Sequence, residues 1–538
     1  MASSYQPLRN SASGTSMAYS STESTGAGYG GYGSRDYGVG RMGYDGSARS
    51  HSPPDYYHDT AAAAAHGRSG GSGYEDTKAH PINDNDGADA PLLGSSQQEE
   101  HVRSSSFAGA SFNMMTAIMG SGILGLAYAM RYSGIVPFTI LMVFMAGCGL
   151  YAIHMLLTLC THTGINTYEG LGVKAFGRVG KIAVSTSILI QNIGATTSYL
   201  VIAGDLLPDL MRVFTSENDN SKTPFYVDRN FLLCIIAATV VFPLTSLRRI
   251  GLLAYTSTIS VIFMAMMTFV VVAKRDHISC PLPGNETDSS AFATITAPPP
   301  PPTTALPALY YATDNSTTSD SCTAELFAFS TNFFFVLPTM AFSFVCHTAL
   351  LPIYAELKKP TQARMQAVSN VAVMTCFSLY FIAGLFGYLT FYQSVDSDLL
   401  KSYSFQREDV LVCVVRTAFV LAVILTAPGV YFPARKTIML FFFPNRPFSW
   451  FLHYAVTIFL VGFTLVLALF VPDIKNVFGL AGATSSVSLM FVLPSLFFIR
   501  ILPGAYLSRT KLPAVIMSIL GVLIGLTCVG GVIASWLV

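Results

Sequence analysis

The sequence predicts an all-α polytopic membrane protein of about eleven transmembrane helices, and three observations carry that reading. Of 538 residues, 51% are hydrophobic and only 11% charged, against roughly 25% charged in a soluble domain. The mean hydropathy is +0.49. From Ser106 onward, apolar runs of about 20 residues alternate with short polar breaks, the length a helix needs to cross roughly 30 Å of hydrocarbon. The lipid bilayer is therefore the first expected partner. A net charge of +1 argues neither way on nucleic acid, and no basic cluster rises above the span-flanking pattern, so none is expected as a partner.

Three blocks follow from composition. Residues 1–106 are polar, and "GAGYGGYGSRDYGVGRMGYDGS" is Gly/Tyr/Ser-rich without apolar periodicity. Such a segment cannot bury enough surface to offset its chain entropy, so a disordered tail is expected. The tail lacks a signal-peptide pattern, which leaves the first spanning helix as its own insertion signal. Asp89-Ala90-Pro91-Leu92-Leu93 fits an acidic dileucine pattern and Tyr5-Gln6-Pro7-Leu8 a tyrosine-based one, which makes trafficking adaptors candidate partners. Residues 107–500 are expected to form a ten-helix core with an outer loop over 274–326, and 501–538 a loop and an eleventh helix. The runs lie near 108–131, 134–160, 181–207, 231–248, 251–273, 327–354, 366–392, 410–434, 450–471, 479–500 and 513–535.

Lys and Arg placement orients these runs. The breaks after even-numbered runs hold most of the bases, among them Lys174, Arg248, Lys358, Lys436 and Arg500. The opposite breaks hold most of the acids, including Asp228, Asp396, Asp398 and Asp409. The N-terminus is thus expected in the cytosol and Val538 outside. The longest loop, 274–326, falls on the outer face and carries two glycosylation sequons at Asn285 and Asn315. It also carries a run of prolines over 298–302, expected as an extended spacer. Cys280 and Cys322 are the only two of nine cysteines outside a spanning run. Facing an oxidising compartment they can pair, or they can stand as two free thiols.

Enzyme signatures are missing from the sequence: there is no Walker loop, HExxH, metal-type Cys/His spacing or nucleophile elbow. Intramembrane carboxylates are almost absent, which argues against a carboxylate-driven pump or an aspartyl protease. What remains is backbone chemistry in interrupted helices. Gly120-Ser121-Gly122 sits in the middle of the first run, and each glycine weakens a helix by roughly 1 kcal/mol. Gly122 and Gly125 can serve helix packing alone. Unwinding at Gly120–Gly122 would instead free three N–H groups at the positive end of a half-helix, a cradle for a carboxylate. Run six supplies a counterpart, with Pro338 and Pro352 flanking polar Ser343, His347 and Thr348. Five spans separate the two interruptions, so two five-span halves would insert with opposite topology. Paired broken helices of that kind point to a transporter site at the bilayer midplane. Gln191, Asn192 and Thr426 (just before Pro428) can line the same cavity or act as interhelical glue. His347 is either a titrating group or a satisfied structural one. His154 and Arg416, near helix ends, are expected to reach the interface.

The stretches "SFNMMTAIMGSGILGLAYAM", "YEGLGVKAFGRVGK", "QNIGATTSYL", "FSFVCHTALLPIYAELK" and "LFGYLTFY" closely resemble the sodium-coupled neutral amino acid transporters (system A/N type) of the amino acid/auxin permease superfamily. The likeness runs in order through essentially all of 106–500. It implies a LeuT-like 5+5 inverted repeat plus one extra helix, an outer-loop disulfide Cys280–Cys322, and uptake of small neutral amino acids such as glutamine, alanine and serine. On that reading the Gly120–Ser121–Gly122 backbone holds the substrate carboxylate. Carbonyls of Ser343, Phe344, Val345 and Cys346 accept from its ammonium, and Asn192 lines the site. Thr116 and Thr426 sit at a cation site. Two positions depart from the family pattern: Thr116 stands where sodium-coupled members usually carry Asn, and Ile424 where they carry a ligand-like Thr. An alkyl group offers a hard cation no oxygen. The expected function is secondary-active transport by alternating access at the plasma membrane, with sodium or a proton as the coupling ion and no resident cofactor. The alternatives left open are a proton-coupled or uncoupled carrier of endosomes or lysosomes, and an amino acid sensor signalling through the tail.

Overall fold

The computed structural model describes residues 105–215, 224–247, 253–278, 322–328, 330–406, 409–443, 446–471, 473–506 and 508–537. The tail up to residue 104, both sorting patterns, both sequons, the proline run and Cys280 lie outside them. Cys322 is disulfide-bonded.

The apolar runs form helices because hydrocarbon leaves a backbone no partner but itself. In chain order they are α1 (Phe107–Ile118), α2 (Gly122–Ser133), α3 (Ile135–Thr163), α4 (Tyr168–Thr215), α5 (Arg229–Thr245), α6 (Leu253–Lys274), α7 (Val336–Phe344), α8 (His347–Glu356), α9 (Gln362–Phe391), α10 (Val410–Phe442), α11 (Trp450–Phe470), α12 (Ile474–Ile501) and α13 (Leu512–Leu537). Among the described residues there is no strand, only an isolated bridge between Ser105 and Leu357.

Eight spans are long and apolar enough to cross a membrane, and the bent pair α1–α2 makes a ninth. The expected eleven is not reached by length and apolarity alone. The third expected run lies within α4, whose middle is polar: Gln191, Asn192, Thr196, Thr197 and Ser198 are all buried there. The fourth is α5, shorter than a standard span. Its last carbonyls are held from outside the helix, Thr245 O by Arg435 at 2.8 Å and Ser246 O by the His453 ring at 3.0 Å.

Helix starts fall where short polar side chains accept from the free N–H groups. Ser106 caps α1, Asp228 α5, Thr361 α9, Asp409 α10 and Asp473 α12. The stretch "YEGLGVKAFGRVGK" folds back on itself inside α4. The turn is made by Gly177, at φ +60° and ψ −136°, a conformation essentially closed to side-chain-bearing residues.

The bundle closes around α10 on α4 and α6, α9 on α1, α2 and α3, and α7 on α2 and α12. The last of these packings is the tightest. A Cβ on Gly482 would lie 2.1 Å from the Pro338 carbonyl oxygen, so α7 and α12 meet backbone to backbone. Gly482→Ala is therefore expected to force the two helices apart, at about 1–3 kcal/mol for an overpacked contact. A lowered melting temperature of the purified protein in detergent checks this; an unchanged one would contradict the packing.

Candidate functional site between two broken helices

The two interruptions come together. α1 ends at Met119, whose ψ of 97° leaves the helix, and α2 restarts after Ser121 at a bend of 52°. α7 ends at Val345 (ψ 114°) and α8 restarts after Cys346. Pro338 and Pro352 flank this second break without making it. Pro338 sits in the first turn of α7, where its missing donor costs little, and Pro352 lies inside α8. A Cβ on Gly122 would lie 2.9 Å from Ser343 Cα, so the start of α2 rests on the end of α7 and only glycine allows it.

A tyrosine from the neighbouring α9 ties both breaks. The Tyr380 hydroxyl lies 2.8 Å from Ile118 O and 3.2 Å from Ser343 O, two carbonyls that the helix ends leave open. Beside them opens a cavity of about 1320 Å³, larger than the roughly 300–1,000 Å³ of a closed small-ligand pocket, because it is a funnel. Its wall brings together Thr116, Gly120, Ser121, Gly122, Asn192, Val345 and Thr426. Among the described residues, the backbone N–H groups of Ser121, Gly122 and Ile123 donate to no backbone carbonyl. They stand at the positive end of α2, while the negative end of α7 supplies the carbonyls opposite.

Other predicted residues fall elsewhere. Ser343, Phe344 and Cys346 are not on the cavity wall. The Ser343 carbonyl faces Tyr380, and the Cys346 carbonyl accepts from Ala349 and Leu350 at 3.0 and 3.1 Å. Of the four expected ammonium acceptors, Val345 alone is on the cavity wall among the described residues. Thr116 donates to Ser257 O at 3.0 Å, and Thr426 to Ala422 O and Val423 O within its own helix. Ile424 lines a separate apolar pocket with Val423, Ala427 and Tyr431. Gln191 is glue as well as wall: its Oε1 accepts from Ser485 at 2.9 Å and Ser486 at 2.6 Å on α12. His347 is fully buried and off the cavity. Arg416 does not reach the interface as expected; it is fully buried, with NH1 3.3 Å from Asp209. It stays charged inside the protein because a carboxylate sits beside it.

Tyr199 was not singled out by sequence reasoning, yet its hydroxyl lies where a Cβ on Gly120 would approach within 2.7 Å, and it shares the cavity wall with Thr426. The signal was there. Ile188, Gln191, Asn192, Ala195 and Tyr199 all line the cavity, and their spacing of three and four continues one helical face. Tyr380 left no comparable signal, being one buried aromatic among many.

Charge is confined to the rim. The cavity's only Asp, Glu, Lys or Arg residues among the described ones are Glu169, Glu356 and Lys436, each near a helix end. The inner wall offers hydroxyls, amides and backbone among apolar side chains such as Ile118, Ile188 and Phe342.

Helices broken in pairs around a neutral cavity define a membrane transporter rather than an enzyme. The chain belongs to the transmembrane amino acid transporter protein family, whose pattern matches residues 103–537. Its fold is similar to that of a nucleobase-cation-symport-1 family transporter in a closed conformation with bromovinylhydantoin bound, at TM-score 0.50 and 13% identity over 81% of this chain and 91% of that one. A mutant manganese transporter from Eremococcus coleocola matches at TM-score 0.49 and 13% identity over 80% and 87%. The LeuT-like fold class expected from the sequence agrees with the first of these likenesses.

Gly120→Val is expected to push the Tyr199 ring off the break and abolish amino acid uptake, with the protein still folded and in the membrane. Uptake that survives the change would show that the break is not the site. Tyr380→Phe leaves two carbonyls without their donor and is expected to cost about 1–3 kcal/mol, read as a lowered melting temperature.

Proposed function

We propose that this chain carries small neutral amino acids of the glutamine, alanine and serine type across a membrane by alternating access. The observation that supports it best is the pairing, on one cavity whose charges stand only at its rim, of α2 N–H groups that donate to no backbone carbonyl with the end of α7 at Val345. An α-carboxylate suits the first set and an α-ammonium the second. A side chain bearing its own charge would find no partner at that depth, so cationic and acidic substrates are disfavoured.

Sodium is the coupling ion in this reading. Thr116, Ser257 and Thr426 line the cavity from α1, α6 and α10 with neutral oxygens, the donor type a hard cation takes. Ile424 adds an alkyl group and no oxygen. The cavity opens among Asn166, Thr167, Glu356 and Lys436, on the side that carries the excess of Lys and Arg. The positive-inside rule makes that side cytosolic, so the state described here is inward-open. The same orientation puts Asn285, Asn315 and a Cys280–Cys322 bridge outside, and suits residence at the plasma membrane.

The test is labelled glutamine and alanine uptake with sodium replaced by choline. Uptake is expected to fall at least tenfold, and Thr116→Val is expected to raise the sodium concentration needed for half-maximal uptake. Uptake indifferent to sodium would remove the coupling ion from this reading and leave the substrate assignment standing.

A further inference from the structure

Opposite the mouth, the segment 395–402 closes the molecule, tied at once to α2, α9, α10 and α12. The Leu399 N–H donates to Leu124 O of α2 at 3.3 Å. Its side chain lies over Gly387 of α9, where a Cβ would approach within 2.9 Å. Arg416 of α10 donates to Leu400 O at 3.2 Å, Arg131 at the end of α2 to Val395 O at 3.0 Å, and Ser397 to Asp473 at the start of α12 at 2.9 Å. The half-helix that frames the transport site therefore cannot move away from this end without breaking its tie to the segment.

In the middle of the segment sits Asp398, 1% exposed. Its Oδ1 accepts from the Leu400 N–H at 2.9 Å, and its Oδ2 is buried without a hydrogen-bond partner. The cations around it are committed elsewhere. Arg416 faces Asp209, Arg229 of α5 binds Asp205 of α4 at 3.1 Å, and half-exposed Lys401 lies 3.9 Å from Asp396. Arg131 is taken by Gln393 and Val395. The charges that do act on Asp398 are negative, Asp205 from α4 and Asp396 from its own segment. Burial first, and then Asp205, pushes the carboxyl up to about 7.

We propose that Asp398 is a proton-binding site, neutral while the segment 395–402 seals this end of the protein and ionised when the segment lifts, so that opening releases a proton. A neutral acid costs far less to bury than an unpaired carboxylate. Once lifted into water, the same group regains an ordinary carboxylate affinity near 4. The sealed state holds its proton up to about pH 7, whereas the open state loses it above about pH 4. Acid therefore favours the seal. Opening becomes easier by up to about tenfold per pH unit between about pH 4 and 7, then levels off.

Amide hydrogen exchange of residues 395–406 in the purified full-length protein tests this, comparing wild type with Asp398→Asn at each pH so that intrinsic exchange cancels. The carboxamide cannot ionise, so the variant is expected to stay sealed throughout. Exchange in the wild type should exceed it increasingly from about pH 5 to about pH 7.5, by at least tenfold. Equal exchange at every pH would overturn the proposal. A second measurement needs no variant: infrared spectra of the wild-type protein should lose a protonated-carboxyl band across the same interval. If no carboxyl titrates there, Asp398 is not the site. Neither readout uses a transported substrate, so failure here and failure of the transport reading are separable.

Discussion

Everything in this molecule follows from one constraint: in hydrocarbon, a backbone N–H or C=O must find its partner within the protein or face a water-filled cavity. The constraint makes the spans helical and makes each interruption costly, since an unpaired buried polar group costs on the order of several kcal/mol. It also tells where interruptions can survive. The breaks at Met119–Ser121 and Val345–Cys346 do so because Tyr380 reaches two of the stranded carbonyls and the cavity wall exposes the groups that remain. A transport site built this way needs no ionised side chain. Two helix ends of opposite polarity can offer partial charges of both signs there without the cost of burying an Arg or an Asp.

The same constraint explains the odd composition of α4. A lipid-facing span would be uniformly apolar, whereas α4 carries Gln191, Asn192, Thr196, Thr197 and Ser198 in its middle. Each of these is buried in protein rather than lipid. Gln191 binds two serines of α12, Asn192 and Thr196 bind carbonyls of their own helix, and Ser198 meets Ser121 at 2.5 Å. Interhelical hydrogen bonds of this kind position α4 against both the broken α1–α2 pair and α12. Polarity that weakens α4 as a membrane span is what lets it serve as the wall of the site.

How far the sequence could be read depended on which residues leave a local trace. Glycine pairs and helical polarity do, so both breaks and the polar face of α4 were legible before any coordinates, as was the oxygen-bearing pair Thr116 and Thr426. What was not legible is set by distance across the bundle. Nothing around Tyr380 in "FSLYFIAG" says that its hydroxyl reaches carbonyls 37 and 262 residues away. Nothing near Ile424 says that it turns into the apolar pocket beside Tyr431 rather than toward Thr116. Arg416 was misread for the same reason, because its partner Asp209 lies on another helix. The span count stumbled on α5, where the pattern is helical but the length is borrowed from caps supplied by Arg435 and His453.

The two ends of the protein are chemically unlike, and that asymmetry bears on alternating access. The open end is rimmed by Glu169, Glu356 and Lys436, groups whose charge costs little to move because water already surrounds the mouth. The sealed end holds Asp205, Asp209, Asp398, Arg229 and Arg416 in or near contact, with Arg416 and Asp398 essentially without exposure. Buried ions in good geometry are strongly interdependent: removing one partner exposes the other's full desolvation cost. A seal of this kind is therefore switched as a unit rather than loosened by degrees. On the proposal above it yields when the charge count changes, as Asp398, neutral in the seal and with its Oδ2 unpartnered, becomes ionised. On the function proposed above, neutral backbone would recognise the cargo at mid-depth, while the buried ionisable cluster stands at the closed end. On those proposals, selection of the cargo and control of the gate rest on different residues, joined through the tie of Leu399 to Leu124 of α2.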